Sequence, residues 1–147
     1  MQTKVFIITC LIVGIVVFIW FRISSKEYAK EDQVLTNHVR FSGTIISYNR
    51  SHNHAYGIIV IKITDTNTKE FADSSNYGII PYKIKGADAE FYGYVPASIK
   101  VGNTVILDSD KRIMNIYDNK KFVAVTDVRM SSDIDNVEFV KQNTIFK

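Results

Sequence analysis

Cysteine is almost missing from this 147-residue chain. With Cys10 alone, no internal disulfide can form, so the redox compartment is not legible, and no cysteine nucleophile exists outside the apolar run that holds it. The G-x-S-x-G elbow, the H-E-x-x-H helix, the phosphate-binding loop, the paired C-x-x-C and the dinucleotide glycine motif are missing too. Ser51 beside His52 is no triad signal, because adjacent residues on an extended chain point to opposite faces. Charge of one sign is also scarce. Eighteen basic residues against 15 acidic give a net charge of only +3, too weak a field to attract nucleic acid. The expectation is a protein without catalytic activity, cofactor or nucleic-acid partner.

What is present falls into unlike parts. Residues 5–21, "VFIITCLIVGIVVFIWF", carry no charge and lie between Lys4 and Arg22. As a helix this run rises about 26 Å against a hydrocarbon core of about 30 Å, and Thr3 and Ile23 extend it. A helix apolar on every face has nowhere to hide in a soluble domain of this size. Its end in bulky Ile19, Trp20 and Phe21 is unlike a small-residue cleavage site, the weak "ISS" of Ile23 to Ser25 being the best one available. Lipidation at Cys10 is disfavoured because the apolar run continues for eleven residues beyond it. Residues 1–23 thus read as a transmembrane signal-anchor helix with residues 5–21 against lipid, Cys10 as a small apolar residue, and Trp20 and Phe21 at the interface. Lys4 faces Arg22, Lys26 and Lys30 across the span, a nearly even positive-inside count. The short N-terminal tail favours export, so a single-pass cell-membrane protein with an extracytoplasmic C-terminal part is expected, with another membrane or envelope protein as its partner.

Residues 24–37 hold no Gly or Pro and read as a polar helical stalk that continues to about Leu35. Lys26 with Lys30, and Glu27 with Glu31, are like charges at i and i+4, which suits a spacer better than a partner helix. From His38 the period changes to two. Val39, Phe41, Gly43 and Ile45 share one face of a half-buried strand, with a bend or bulge expected at Gly43. "GIIVIKITD" (57–65) begins buried on both sides and ends wet on one. Further strands are expected at 78–84, where Pro81 implies an edge, and at 90–95, 104–108, 112–117 and 121–128, the last three forming a meander through "DSDK" and "DNKK". The tail 131–147 fits either a capped helix over Val137 and Val140 or one more strand. Residues 38–147 are therefore expected to be a β-barrel-like domain. The fold class is mainly β, a small antiparallel OB-like barrel or sandwich preceded by one N-terminal transmembrane helix.

"HVRFSGTIISYNRSHNHAYGIIVIKI" followed by "FYGYVPASIKVGNTVILDSDKRIMNIY" resembles a group of small bacterial proteins of unknown function. These join a membrane anchor or export signal to a compact β domain reminiscent of an oligonucleotide/oligosaccharide-binding barrel. The matching parts cover about half of the chain. Their most recognisable piece is "IKVGNTVILDSD", where the group commonly has Asp at the place of Asn103. The resemblance implies an anchored OB-like barrel and brings no functional residues with it.

Three sets of residues are candidate sites. His52 and His54, at i and i+2, would point to one side of an extended chain about 6.6 Å apart, compatible with two ligands to zinc or copper. His38 would lie roughly 36 Å away in a straight hairpin, so a third ligand would have to come from "DSDK" or "KGADAE". The alternative is an eight-residue polar hairpin loop from Asn49 to Tyr56. Asp108 and Asp110 form a carboxylate pair that suits either a cation or a tight turn. Tyr48, Tyr56, Tyr92 and Tyr94, with Tyr77, Tyr82 and Tyr117, offer either a stacking surface for a ligand or partner or ordinary sheet packing. Asn49-Arg50-Ser51 fits the glycosylation sequon, which matters only in a secretory lumen. The leading expectation is a non-catalytic binding or accessory module. The alternatives are a metal-binding protein or hydrolase centred on His52 and His54, and a subunit of a membrane complex.

Overall fold

The apolar run and the polar stretch after it form one unbroken helix, α1 (Gln2–Leu35). Its stretch Thr9–Leu35 is long and apolar enough to cross a membrane. The computed structural model describes residues 2–72 and 78–146 and divides into two compact units, 1–34 and 35–147.

The second unit is mainly β. In chain order it holds β1 (Arg40–Arg50), β2 (Tyr56–Thr66), β3 (Glu70–Phe71), β4 (Tyr82–Lys85), β5 (Asp88–Tyr94), β6 (Thr104–Asp108), β7 (Ile113–Asp118), β8 (Lys121–Asp127) and α2 (Ile134–Asn143). The strands form one antiparallel sheet in the order β3-β4-β5-β2-β1-β6-β7-β8. Among the described residues no backbone pairing closes this sheet. It curls instead until the Thr126 hydroxyl on β8 donates to the Tyr94 carbonyl on β5 at 2.9 Å.

Period-two alternation puts Phe41, Ile45, Ile59, Ile61, Phe91, Val105, Leu107, Met114 and Ile116 on the concave face, where they form the main core. Three register irregularities help the sheet bend, at Ser42/Gly43, Ile45/Ser47 and Ile116/Tyr117. Gly43 is needed at the first. A Cβ there would run into the Lys62 carbonyl and the Ile61 side chain of the neighbouring strand.

β2 is buried on both faces from Gly57 to Ile61 and wet on one face from Lys62 onward, with Ile63 still packed against the main core, as its sequence suggests. Ile59 and Ile61 enter the main core, while Ile58 and Val60 join Tyr92, Phe139 and Val140 in a second cluster. The cover over that cluster is the tail, which takes the helical alternative. Asp133 caps α2 by accepting from the Asn136 N–H at 3.1 Å, and Val140 is buried.

Two expectations change. The strand expected over 78–84 begins only at Tyr82, and Ile79 instead makes an isolated bridge to Ser131. Pro81, lacking an N–H, stands just before β4 and uses its carbonyl to accept from Tyr92 N at 2.7 Å. The β1–β2 loop shortens to five residues, 51–55, because pairing runs on through Arg50 opposite Gly57.

Candidate functional site

The β1–β2 loop folds on itself before it meets α2. Ser51 N donates to the Tyr56 carbonyl at 2.7 Å, and the Ser51 hydroxyl accepts from Asn53 N at 3.1 Å. His54 and Ala55 then adopt left-handed backbone angles, φ 48° and 55°. The chain is not extended there, so the strand spacing of His52 and His54 does not apply. Both histidines are exposed, whereas Asn53 between them reaches α2 through Asn136 Oδ1 at 3.0 Å and Asp133 Oδ1 at 3.3 Å.

This contact leaves an open groove of about 510 Å³ lined by Ser51, His52, Asn53, Asp135, Glu138, Phe139 and Gln142. Two carboxylates, an imidazole, amides and one aromatic ring suit a small polar or cationic ligand. Asp135 and Glu138 escaped the sequence reading because only the folding of the tail into a helix brings them beside His52. Neither acidic loop named above reaches the histidines. Asp108 stands opposite Arg40 at the start of β1, and Asp88 stands opposite Lys62 on β2. Among the described residues no group of three or more His, Cys, Asp or Glu is placed to hold a metal ion.

The chain matches no protein-family model, no curated protein and no solved structure.

Asp108 and Asp110 hold the chain's own cations. Asp110 Oδ2 lies 3.0 Å from His38 Nδ1 and 3.6 Å from Arg40, while Asp108 Oδ2 lies 3.4 Å from Arg40 and 3.7 Å from Lys111. The His38 hydrogen bond holds the Asp110 carboxyl below its usual range. Between them Ser109, fully buried, accepts from Val39 N at 2.9 Å, so the turn also pins the entry to β1.

The four tyrosines of the candidate surface do not share one face. Tyr56 pairs directly with Tyr94, and Tyr92 lies two residues along on the same side. Tyr48 pairs with Ile59, a core residue, and so belongs to the opposite face, where Arg50 stacks 5.4 Å from its ring centroid. Tyr94 and Tyr48 are exposed, Tyr56 is half-buried and Tyr92 is buried. Tyr82 is a core residue that donates to Asn37 at 2.6 Å, Tyr117 pairs with Phe122, and Tyr77 lies outside the described residues. Asn49 of the sequon donates to Asn143 Oδ1 at 3.1 Å.

Glu90 is a residue that the sequence did not single out. Alternation puts it on the outer side of β5 beside Tyr92, yet it is fully buried because the C-terminal stretch lies across it. Its carboxylate accepts from the Tyr92 hydroxyl at 2.7 Å, from Ile145 N at 2.9 Å and from the Thr144 hydroxyl. Lys83 holds the same stretch by donating to the Phe146 carbonyl at 3.2 Å.

Burial pushes the Tyr56 phenol up to about 12, and the Asp133 charge adds to this. Burial raises Tyr92 as well, reinforced by its Glu90 partner. Among the described residues the buried Tyr56 hydroxyl has no hydrogen-bond partner in good geometry; Ser131 lies close enough to temper the shift but accepts from Asn136 Nδ2 at 3.0 Å. Replacing Tyr56 with Phe should therefore be neutral or stabilising by about 1 kcal/mol at pH 7, as read by urea unfolding. Because burial disfavours the phenolate, Tyr56 leaves stability independent of pH below about pH 10 and lowers it as pH rises from 10 towards 12, by about 3 kcal/mol in all. The Phe variant should lose less stability over that interval.

Proposed function

We propose that the chain is a single-pass membrane protein in which α1 crosses the bilayer. Its β unit works as a non-catalytic binding or accessory module for another membrane or envelope protein, on the extracytoplasmic side. The observation that carries this reading is a helix with a stretch long and apolar enough to cross a membrane, joined in one chain to a unit that has its own core. The reading needs no cofactor and no nucleic acid. The curl of the sheet towards a β5–β8 contact supports an open, OB-like barrel as the form of the module.

A chain starting at Val34 should be soluble and cooperatively folded, while the full chain should stay in the membrane fraction after alkaline carbonate extraction. An aggregated or unfolded truncation would count against the module, and a full chain released by carbonate would count against the anchor. Protease protection of a tag after Lys147 in intact cells and in spheroplasts decides the side. Protection in both would favour a cytoplasmic-facing subunit of a membrane complex.

One observation favours a second reading, a metal-binding protein or hydrolase. His52 shares its groove with Asp135 and Glu138. Zinc or copper bound by the purified β unit, and lost in the His52→Ala/His54→Ala variant, would support it. Metal-free protein would count against it.

A further inference from the structure

The outer faces of the two halves of the sheet are treated differently. On β2 and β5 the outward apolar residues Ile58, Val60 and Tyr92 lie in a cluster that α2 completes with Val140. On β6, β7 and β8 the inward residues Val105, Leu107, Met114 and Ile116 fill the main core. Their outward neighbours are exposed or half-buried, with Asn115 and Tyr117 among the half-buried. Register lines these up in two rows, Ile106–Asn115–Val125 and Thr104–Tyr117–Phe122. Phe122 is 56% exposed, Ile106 47% and Val125 46%, and Phe122 meets Tyr117 edge to face at 6.0 Å. Val101, in the loop before β6, adds another exposed apolar side chain.

Cations stand at one end of these rows. The β7–β8 turn places Asn119 and Lys120 in left-handed conformation, φ 46° and 69°, the two-residue geometry that matches the strand twist. It carries Lys120 and Lys121 next to Phe122. Thr104, opposite Tyr117, is reached through the tight turn from Lys100 to Asn103, closed by Asn103 N to the Lys100 carbonyl at 3.1 Å. Lys100 therefore joins the same end. Among the described residues none of the three ammonium groups has a carboxylate within 4.0 Å, and Asp118 is the one acid in the turn.

We propose that this outer face of β6–β8 docks on an anionic phospholipid surface, with Phe122, Tyr117 and Val101 entering the headgroup zone and Lys100, Lys120 and Lys121 meeting lipid phosphates. The inference rests on the proposed anchoring, which keeps the unit beside a bilayer. Aromatic and aliphatic side chains flanked by lysines fit the interface, where rings settle at headgroup level and each cation adds electrostatic attraction.

Trp20 is the chain's one tryptophan, which makes the test simple. The full chain carrying Trp20→Phe and Phe122→Trp is inserted into nanodiscs of phosphatidylcholine, alone or mixed with phosphatidylglycerol, with brominated acyl chains as quenchers. Docking predicts blue-shifted, quenched emission in the anionic discs and little quenching in the neutral ones. The ratio of docked to undocked protein should fall about fivefold for each cation removed in Lys120→Asn or Lys121→Gln, and likewise in Lys100→Gln, which lies outside the β7–β8 turn. It should also fall in concentrated salt. A chain that enters the discs but emits identically in both lipids would overturn the docking and leave the anchor standing. A chain that does not enter the discs would overturn the anchor and the docking with it. A blue shift that follows the number of copies per disc and not the lipid would assign the face to self-association and overturn the proposal.

Discussion

Replacing Phe91 with alanine should remove about 3 to 5 kcal/mol from the stability of the β unit, lowering its urea midpoint by about 2 M. Phe91 is fully buried on β5, where it pairs with Ile59 on β2 and with Tyr82 on β4. Those neighbours belong to backbone ladders on both sides, so they cannot move in to fill the space, and the cavity term adds to the lost transfer free energy. The contrast is Phe122→Ala, an exposed ring on β8, which should cost under about 1 kcal/mol. Equal costs for the two variants would mean that the concave face is not the main core.

Glu90→Ala should cost about 3 kcal/mol, although it removes no apolar packing. The Tyr92 and Thr144 hydroxyls and the Ile145 N–H all donate to this carboxylate, and truncation leaves them facing an emptied pocket. Glu90→Gln should cost about 1 kcal/mol, because the amide oxygen still accepts from Ile145 and the two hydroxyls can turn to accept from its NH₂ group. Hydrogen exchange separates the two effects. In Glu90→Ala the Ile145 amide should exchange near the rate of an open chain while the amides of β2 stay protected. Uniform acceleration across the sheet would show that Glu90 supports the whole unit and not only the segment that crosses it.

How much of this was legible depended on the range of the forces involved. β6 was readable to the residue, and β7 and β8 to within one residue, because short apolar alternations stood between Asp- and Asn-containing turns. The two-sided start of β2 was readable because four consecutive apolar residues have no wet face. The identity of its second cover was not. The Asp133 cap is local and was among the alternatives, but the cover depends on Val140 meeting Ile58 and Val60, residues about eighty apart in the chain. Two-residue β3 carries no periodic signal and exists through its pairing with β4. Glu90 was hidden for the same reason, since alternation along β5 makes it outward and only the later segment makes outward mean buried. The groove beside His52 follows this pattern. Its histidine was visible in the sequence, but its acids come from the helix that the tail left open.

The separation between Glu90 and its donors has a consequence for biosynthesis. Thr144 and Ile145 follow Glu90 by 54 and 55 residues, so during translation β5 emerges well before the segment that roofs it. Until then the carboxylate stays hydrated and the apolar side chains of β2 beside it lie open. The nascent unit therefore passes through a stage in which its concave half can collapse while its convex half is still sticky, and it is then that chaperones have most to hold.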